Sequence, residues 1–100
     1  MTNPEISVII PFLNEAENIP ELVAAIEAFA PTLPVPIEVV FVDDGSTDGS
    51  DALLSSIPFR NFSAQLVRLS RNFGSHPAVR AGFSVAKAPN CVWLGADLQE

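Results

Sequence analysis

Between Ile37 and Asp51 the chain reads Ile-Glu-Val-Val-Phe-Val and then breaks into Asp43-Asp44-Gly45-Ser46-Thr47-Asp48-Gly49-Ser50-Asp51. Six strand-forming residues followed at once by close carboxylates and glycines are the pattern of a buried parallel strand that stops at a loop facing a ligand. A strand buried on both faces needs neighbouring strands and covering helices. The remaining sequence supplies both.

Upstream, Ile6-Ser7-Val8-Ile9-Ile10 predicts a first strand, with Pro11 ending it because proline lacks a ladder donor. Ile19, Leu22, Val23, Ile26 and Phe29 then recur at the spacing of one helical face, with Asn14 or Asn18 as cap and Pro20 in the first turn. Pro31, Pro34 and Pro36 stop that helix. After the acidic loop, Ala52, Leu53 and Leu54 predict a short helix capped by Ser46 or Asp48. A loop over Ser55–Ser63 leads to a third strand at Gln65–Leu69, with Arg68 on the face opposite Val67 and Leu69. Pro77 marks a third helix, Cys91–Leu94 reads as a fourth strand, and Gly95 opens the last loop.

Four strands alternating with three helices predict an α/β fold: a mostly parallel, Rossmann-like sheet flanked by helices, in strand order 3-2-1-4. Parallel strands release their loops at one edge. That order gathers Pro11–Glu15, Asp43, Asp44 and Asp97 into one crevice. The single domain spans residues 1–100, and a fourth strand followed so soon by the last residue reads as part of a larger domain.

Charge narrows the function. The formal charge of −7, with all five basic residues from Arg60 onward and ten of twelve acids before it, argues against a nucleic-acid surface. An anionic ligand beside the acidic loop needs a cation, from a metal or arginine. Cys91 is alone and lies in an apolar run, which predicts a buried thiol in a reducing compartment. With no secretory pattern and no run long enough to cross a bilayer, the expected location is cytoplasmic.

Four segments, Ser7–Glu15, Val42–Gly49, Arg71-Asn72-Phe73-Gly74 and Ala96-Asp97-Leu98-Gln99, together resemble the family 2 glycosyltransferases of the GT-A fold, in particular the polyprenyl-phosphate, dolichol-phosphate-mannose-synthase-like branch. The resemblance covers essentially the whole chain and implies the N-terminal, donor-binding half of a GT-A fold. It implies transfer of a sugar from a nucleoside diphosphate to an acceptor such as a lipid phosphate, with inversion, at the cytoplasmic face of a membrane. In that reading Pro11, Leu13, Glu15, Asp43 and Asp44 bind the donor nucleotide, with Asp43 accepting from the base. Asp97 and Gln99 hold Mg²⁺ or Mn²⁺ against the diphosphate. A carboxylate only accepts, so it suits a ring N–H of uracil or guanine, while a hard divalent ion suits the departing diphosphate. The sequence departs from the family at Gly95, where the metal motif usually carries a first aspartate. The family's general base and acceptor residues have no counterpart among these 100 residues, so no catalytic base is assigned.

On the residues alone, Asp43 and Asp44 also serve as turn formers, and Asn14 and Glu15 as a solvated helix entrance. Ser46 and Ser50 suit capping better than nucleophilic attack, since no base pairs with either. Arg71 divides evenly between a diphosphate contact and a surface charge, His76 reads as a surface residue, and Trp93 reads as core. A phospho-acceptor receiver domain is the competing signalling class, but it expects its acidic pair after strand one. A dinucleotide-binding half expects a Gly-x-Gly-x-x-Gly loop where Pro11-Phe12-Leu13-Asn14 stands. A non-catalytic module that self-associates through an open sheet edge is the remaining alternative.

Overall fold

In the computed structural model, which describes residues 3–95, β1 (Ile6–Phe12), α1 (Ile19–Phe29), β2 (Ile37–Asp43), α2 (Ser50–Ser55), β3 (Ser63–Arg68), α3 (Ser75–Val85) and β4 (Asn90–Trp93) follow in turn. The four strands form one sheet in the order β3-β2-β1-β4, and every pairing is parallel. The order expected from the sequence is the one observed. All seven residues of β2 are buried, as its unbroken apolar run requires for a central strand.

Alternation along the strands sorts the core into two layers. Ile10 and Phe12 of β1 with Val39 and Phe41 of β2 pack under α1 and α2 against Ile19, Leu22, Val23 and Leu54. On the other face Ile9, Val40 and Val42 meet Ala78 of α3. That helix lies so close that a Cβ on Gly82 would collide with Ile9, so glycine here permits the approach.

Several boundaries differ from expectation. β1 continues through Pro11 to Phe12. The Leu94 N–H donates to Ile9 C=O on the β4 side, whereas the Asp44 N–H donates to Phe12 C=O on the β2 side. Odd-numbered residues of β1 therefore turn their backbone polar groups toward β4, which pairs only Ile6–Ile9. The N–H that Pro11 lacks falls beyond that pairing, so its absence removes no ladder bond. β3 begins two residues early because Ser63 and Ala64 pair with Glu38 and Val39. Asn18 is the N-cap of α1, but its side-chain amide donates to Glu15 Oε1 at 2.7 Å instead of capping. The N-cap of α2 is Gly49, while Asp48 Oδ1 accepts from the Ser50 N–H at 3.0 Å.

The largest corrections concern β4. Cys91 is exposed, not buried, and Trp93 is 52% exposed, not core. Among the described residues β4 has a neighbour on one side only, so an apolar sequence does not bring burial.

Near the amino-terminal edge one buried carboxylate of β2 bonds to β1, to β3 and to the turn that leads into β4. Glu38 Oε2 accepts from the Ser7 hydroxyl and, at 2.6 Å, from the Lys87 N–H. Its Oε1 accepts from the Gln65 side-chain amide at 3.1 Å, and Ser7 Oγ accepts from the Ala88 N–H at 3.1 Å. Burial pushes the Glu38 carboxyl up, but the Lys87 N–H, the Ser7 hydroxyl, the Gln65 amide and the Lys87 charge outweigh it and hold the group below its ordinary value. A depressed carboxyl contributes stability that is complete above the unfolded-state value and disappears as pH falls through the folded one. Glu38→Gln sets an amide donor against existing donors, so it should destabilise the chain at pH 7 by roughly 1–3 kcal/mol. Urea unfolding at pH 7 and at acid pH below the ordinary carboxylate range should show the difference between the two proteins shrinking only there, as pH falls through the lowered folded value; a difference that stays constant into that range contradicts the ionised assignment.

Candidate functional site

β1 and β2 are paired from end to end, Phe12 opposite Asp43, so their loops leave the sheet side by side. Asp43 is 3% exposed, and its Oδ1 accepts from the Ser46 N–H at 2.7 Å, which bends the acidic loop back on the strand end. Asn14, at φ +54°, reaches the same loop. Its N–H donates to Ser46 Oγ at 2.9 Å, and its Oδ1 accepts from the Thr47 N–H at 2.8 Å. Asparagine tolerates this left-handed backbone better than most residues.

A second tie lies beside the first. Ser50 Oγ, fully buried, accepts from the Glu15 N–H at 3.1 Å and donates to Asp48 Oδ1, while Asp48 Oδ2 accepts from the Ala16 N–H at 3.1 Å. The Ser50 hydroxyl, followed by the backbone N–H groups of Ala16 and Ser50, holds the Asp48 carboxyl below the usual carboxylate range. Ser50 is thereby occupied as a loop fastener, its hydroxyl both accepting from the Glu15 N–H and donating to Asp48.

The β3–α3 loop forms the third wall. Asp44 is 6% exposed; its Oδ1 accepts from the Phe73 N–H at 2.8 Å and its Oδ2 from the Gly74 N–H at 3.0 Å. Gly45, at φ +91°, lies under this loop, and a Cβ built on it would come within 2.6 Å of the Arg71 carbonyl carbon and the Asn72 nitrogen. The exposed Arg71 guanidinium sits over the Phe73 ring, 4.9 Å from its centroid.

Of the residues expected at the site, Pro11, Leu13, Glu15, Asp43 and Asp44 come to the carboxyl edges of β1 and β2. Pro11 and Glu15 are half-buried and Leu13 is exposed. Glu15 Oε1 accepts only the short-range amide of Asn18 among the described contacts, which leaves a carboxylate at the crevice mouth. Asp97 and Gln99 lie outside the described residues. Among the described residues no three acidic, histidine or cysteine side chains gather as a metal cluster.

Asn14, Ser46, Asp48 and Ser50, expected from the sequence as caps and helix entrances, act jointly as cross-loop ties. The signal was available in part: short polar side chains concentrated in two loops at the ends of adjacent strands tend to bond each other's backbone. An apolar groove of about 190 Å³ lies elsewhere, between α1 and the sheet, lined by Val8, Ile10, Leu22, Ile26, Phe29 and Leu94. Its lining offers no polar side chain to a charged ligand.

The model of the family described as "Glycosyl transferase family 2" matches residues 7–100. The chain belongs to glycosyltransferase family 2. It is 43% identical over 95 residues to the undecaprenyl-phosphate 4-deoxy-4-formamido-L-arabinose transferase of Pseudomonas aeruginosa (strain UCBPP-PA14), covering 94% of this chain and 28% of that protein. The same-named transferase of Serratia proteamaculans (strain 568) is 38% identical over 96 residues, covering 95% and 29%. The chain thus spans under a third of the length of these relatives. Among solved structures, a mannosyltransferase from Pyrobaculum calidifontis in complex with GDP-Man and Mn²⁺ superposes with a TM-score of 0.77 at 27% identity, over 97% of this chain and 28% of that one. Staphylococcus aureus TarS, residues 1–349, shares the fold with a TM-score of 0.77 at 24% identity, over 93% and 27%. The sheet is the Rossmann-like part of a GT-A fold.

The close approach at Gly45 separates two glycines that otherwise look alike in the family 2 loop. Gly45→Ala meets both a left-handed backbone and the Arg71–Asn72 backbone, whereas Gly49→Ala, at φ +84° with nothing within 4 Å, meets the first problem only. Gly49→Ala should cost about 1–2 kcal/mol, and Gly45→Ala should cost more in the same urea titration. Equal losses contradict the packing of the β3–α3 loop on Gly45.

Proposed function

We propose that this chain forms the donor site of a glycosyltransferase that moves a sugar from a nucleoside diphosphate to an acceptor, with inversion at the anomeric carbon. The observation that carries the reading is the cleft itself: Asp43, buried at the end of the central strand, stands between two loops fastened to each other by side-chain-to-backbone bonds. A site fastened before the ligand arrives loses little entropy on binding.

In this reading Pro11, Leu13 and Glu15 line the nucleoside. Asp43 uses Oδ1 to hold the loop and offers its other oxygen to a ring N–H of the base, a role suited to an acceptor-only group. Arg71, whose planar guanidinium matches phosphate oxygens, approaches the diphosphate from the β3–α3 loop. Asp44 belongs to the same site through the loop it binds. Asp97 and Gln99 supply oxygen donors of the kind a hard divalent ion takes, Mg²⁺ or Mn²⁺, and such an ion neutralises charge on the leaving diphosphate. The Pyrobaculum mannosyltransferase, a complex with GDP-Man and Mn²⁺, supports that assignment. The transferases named for undecaprenyl phosphate support a polyprenyl phosphate as the acceptor class, and with it the reading of a reaction at a membrane surface. No helix among the described residues is long and apolar enough to cross one.

The exposed edge at β4, with Val92, Trp93 and Leu94 each about half exposed, favours self-association as a second partner interaction. Light scattering at two protein concentrations should show the apparent mass rising; a constant monomer mass contradicts it.

Calorimetric titration with UDP and GDP, with and without Mn²⁺, tests the donor site. At least one nucleotide should bind, more tightly with the metal. Asp43→Asn keeps a carbonyl oxygen for the Ser46 N–H but presents an amide donor to the base. It should weaken binding by roughly 10- to 100-fold, the equivalent of one hydrogen bond to a charged group. Tight binding unaffected by the substitution removes Asp43 from the site.

A further inference from the structure

Asp43 and Asp44 are adjacent in sequence but face different walls of the cleft. Asp43 turns to the loop before α2, through the Ser46 N–H. Asp44 turns to the loop before α3 and accepts two consecutive backbone N–H groups, at 2.8 and 3.0 Å, across 29 and 30 residues of chain. Each Asp44 oxygen thus has a protein donor, and the side chain is 6% exposed. Little of it is left to meet a ligand.

The loop it grips carries the Arg71–Phe73 stack and is pressed against Gly45 from the other side. The Arg71 guanidinium is a cation on a loop beside the acids Glu15, Asp43, Asp44 and Asp48, while the other arginine at this edge, Arg68 opposite Asp43, is engaged by Asp51 at 3.0 Å. An arginine on an exposed loop gains little from a phosphate unless the loop is already ordered, because fixing the side chain costs entropy. Two charge-assisted bonds from a buried carboxylate supply such order.

We infer that Asp44 is a positioning residue: it fixes the Arg71–Gly74 loop so that Arg71 meets the anionic part of the donor, and it does not itself contact the donor. This inference rests on the donor-site reading.

A double-mutant cycle on the 100-residue chain tests it, with binding of UDP and GDP measured in wild type, Asp44→Asn, Arg71→Gln and the double variant. Uridine and guanosine serve as uncharged probes. If Asp44 acts through Arg71, each single variant weakens binding of the diphosphate about tenfold. The double variant then binds within about twofold of Arg71→Gln alone, and nucleoside binding is unchanged in all three. Multiplying effects, near 100-fold in the double variant, or a loss of nucleoside affinity in Asp44→Asn, mark a direct contact and overturn the inference. Should Asp44→Asn fail to fold, Phe73→Ala leaves Asp44 in place and removes the ring beneath Arg71. It should reproduce the selective loss of diphosphate affinity, and unchanged affinity overturns the inference. Absence of any nucleotide binding by the wild type overturns the donor reading as well, whereas nucleotide binding with additive losses overturns the positioning role alone.

Discussion

The seven-residue parallel pairing of β1 with β2 is the constraint on which the rest depends. It stops both strands at one level, Phe12 against Asp43, and so delivers two polar loops to the same place. Parallel geometry alone brings loops near each other but leaves them free to move. Here short side chains close the gap: Asn14 with Ser46 and Thr47, and Ser50 and Asp48 with Glu15 and Ala16. Each bond satisfies a backbone group that a loop would otherwise leave to water.

This explains how so many acids share one edge. Like charges in a cleft repel, and burial raises the cost of each ionised carboxyl. The described contacts of Asp43, Asp44 and Asp48 at this edge are made largely with backbone N–H groups, which stabilise negative charge without adding a competing ligand for phosphate. At the opposite edge Glu38 is held mainly by side-chain donors, the Ser7 hydroxyl and the Gln65 amide, with the Lys87 N–H, and so joins β1, β2, β3 and the turn into β4. One buried carboxylate there helps set the register of β4, the strand that leads toward Asp97.

Much of this was legible in the residues. The period-two and near-continuous apolar runs gave the strands, Pro20 and Pro77 marked helix starts, and alternation of the two element types implied order 3-2-1-4. The separate fates of Asp43 and Asp44 follow from strand alternation carried one residue past β2, though the partner of Asp44 lies 29 residues away and no local pattern names it. The exposure of β4 has a related cause. Cys91-Val92-Trp93-Leu94 has the composition of a core strand, but burial depends on what lies on its far side, which composition does not encode. Pro11 lacks a ladder donor and still lies within β1, because the pairing with β4 reaches only Ile9.

The central claim is that three loops from separate strands act as one preformed binding surface at the carboxyl edge. Backbone amide NMR of the ¹⁵N-labelled chain titrated with UDP or GDP and Mg²⁺ tests it most directly. Shifts concentrated in residues 11–16, 43–50 and 71–74, with Glu38 and the rest of the amino-terminal edge unmoved, are the predicted result. Shifts centred on the amino-terminal edge, or confined to a single loop while its neighbours stay silent, contradict the account.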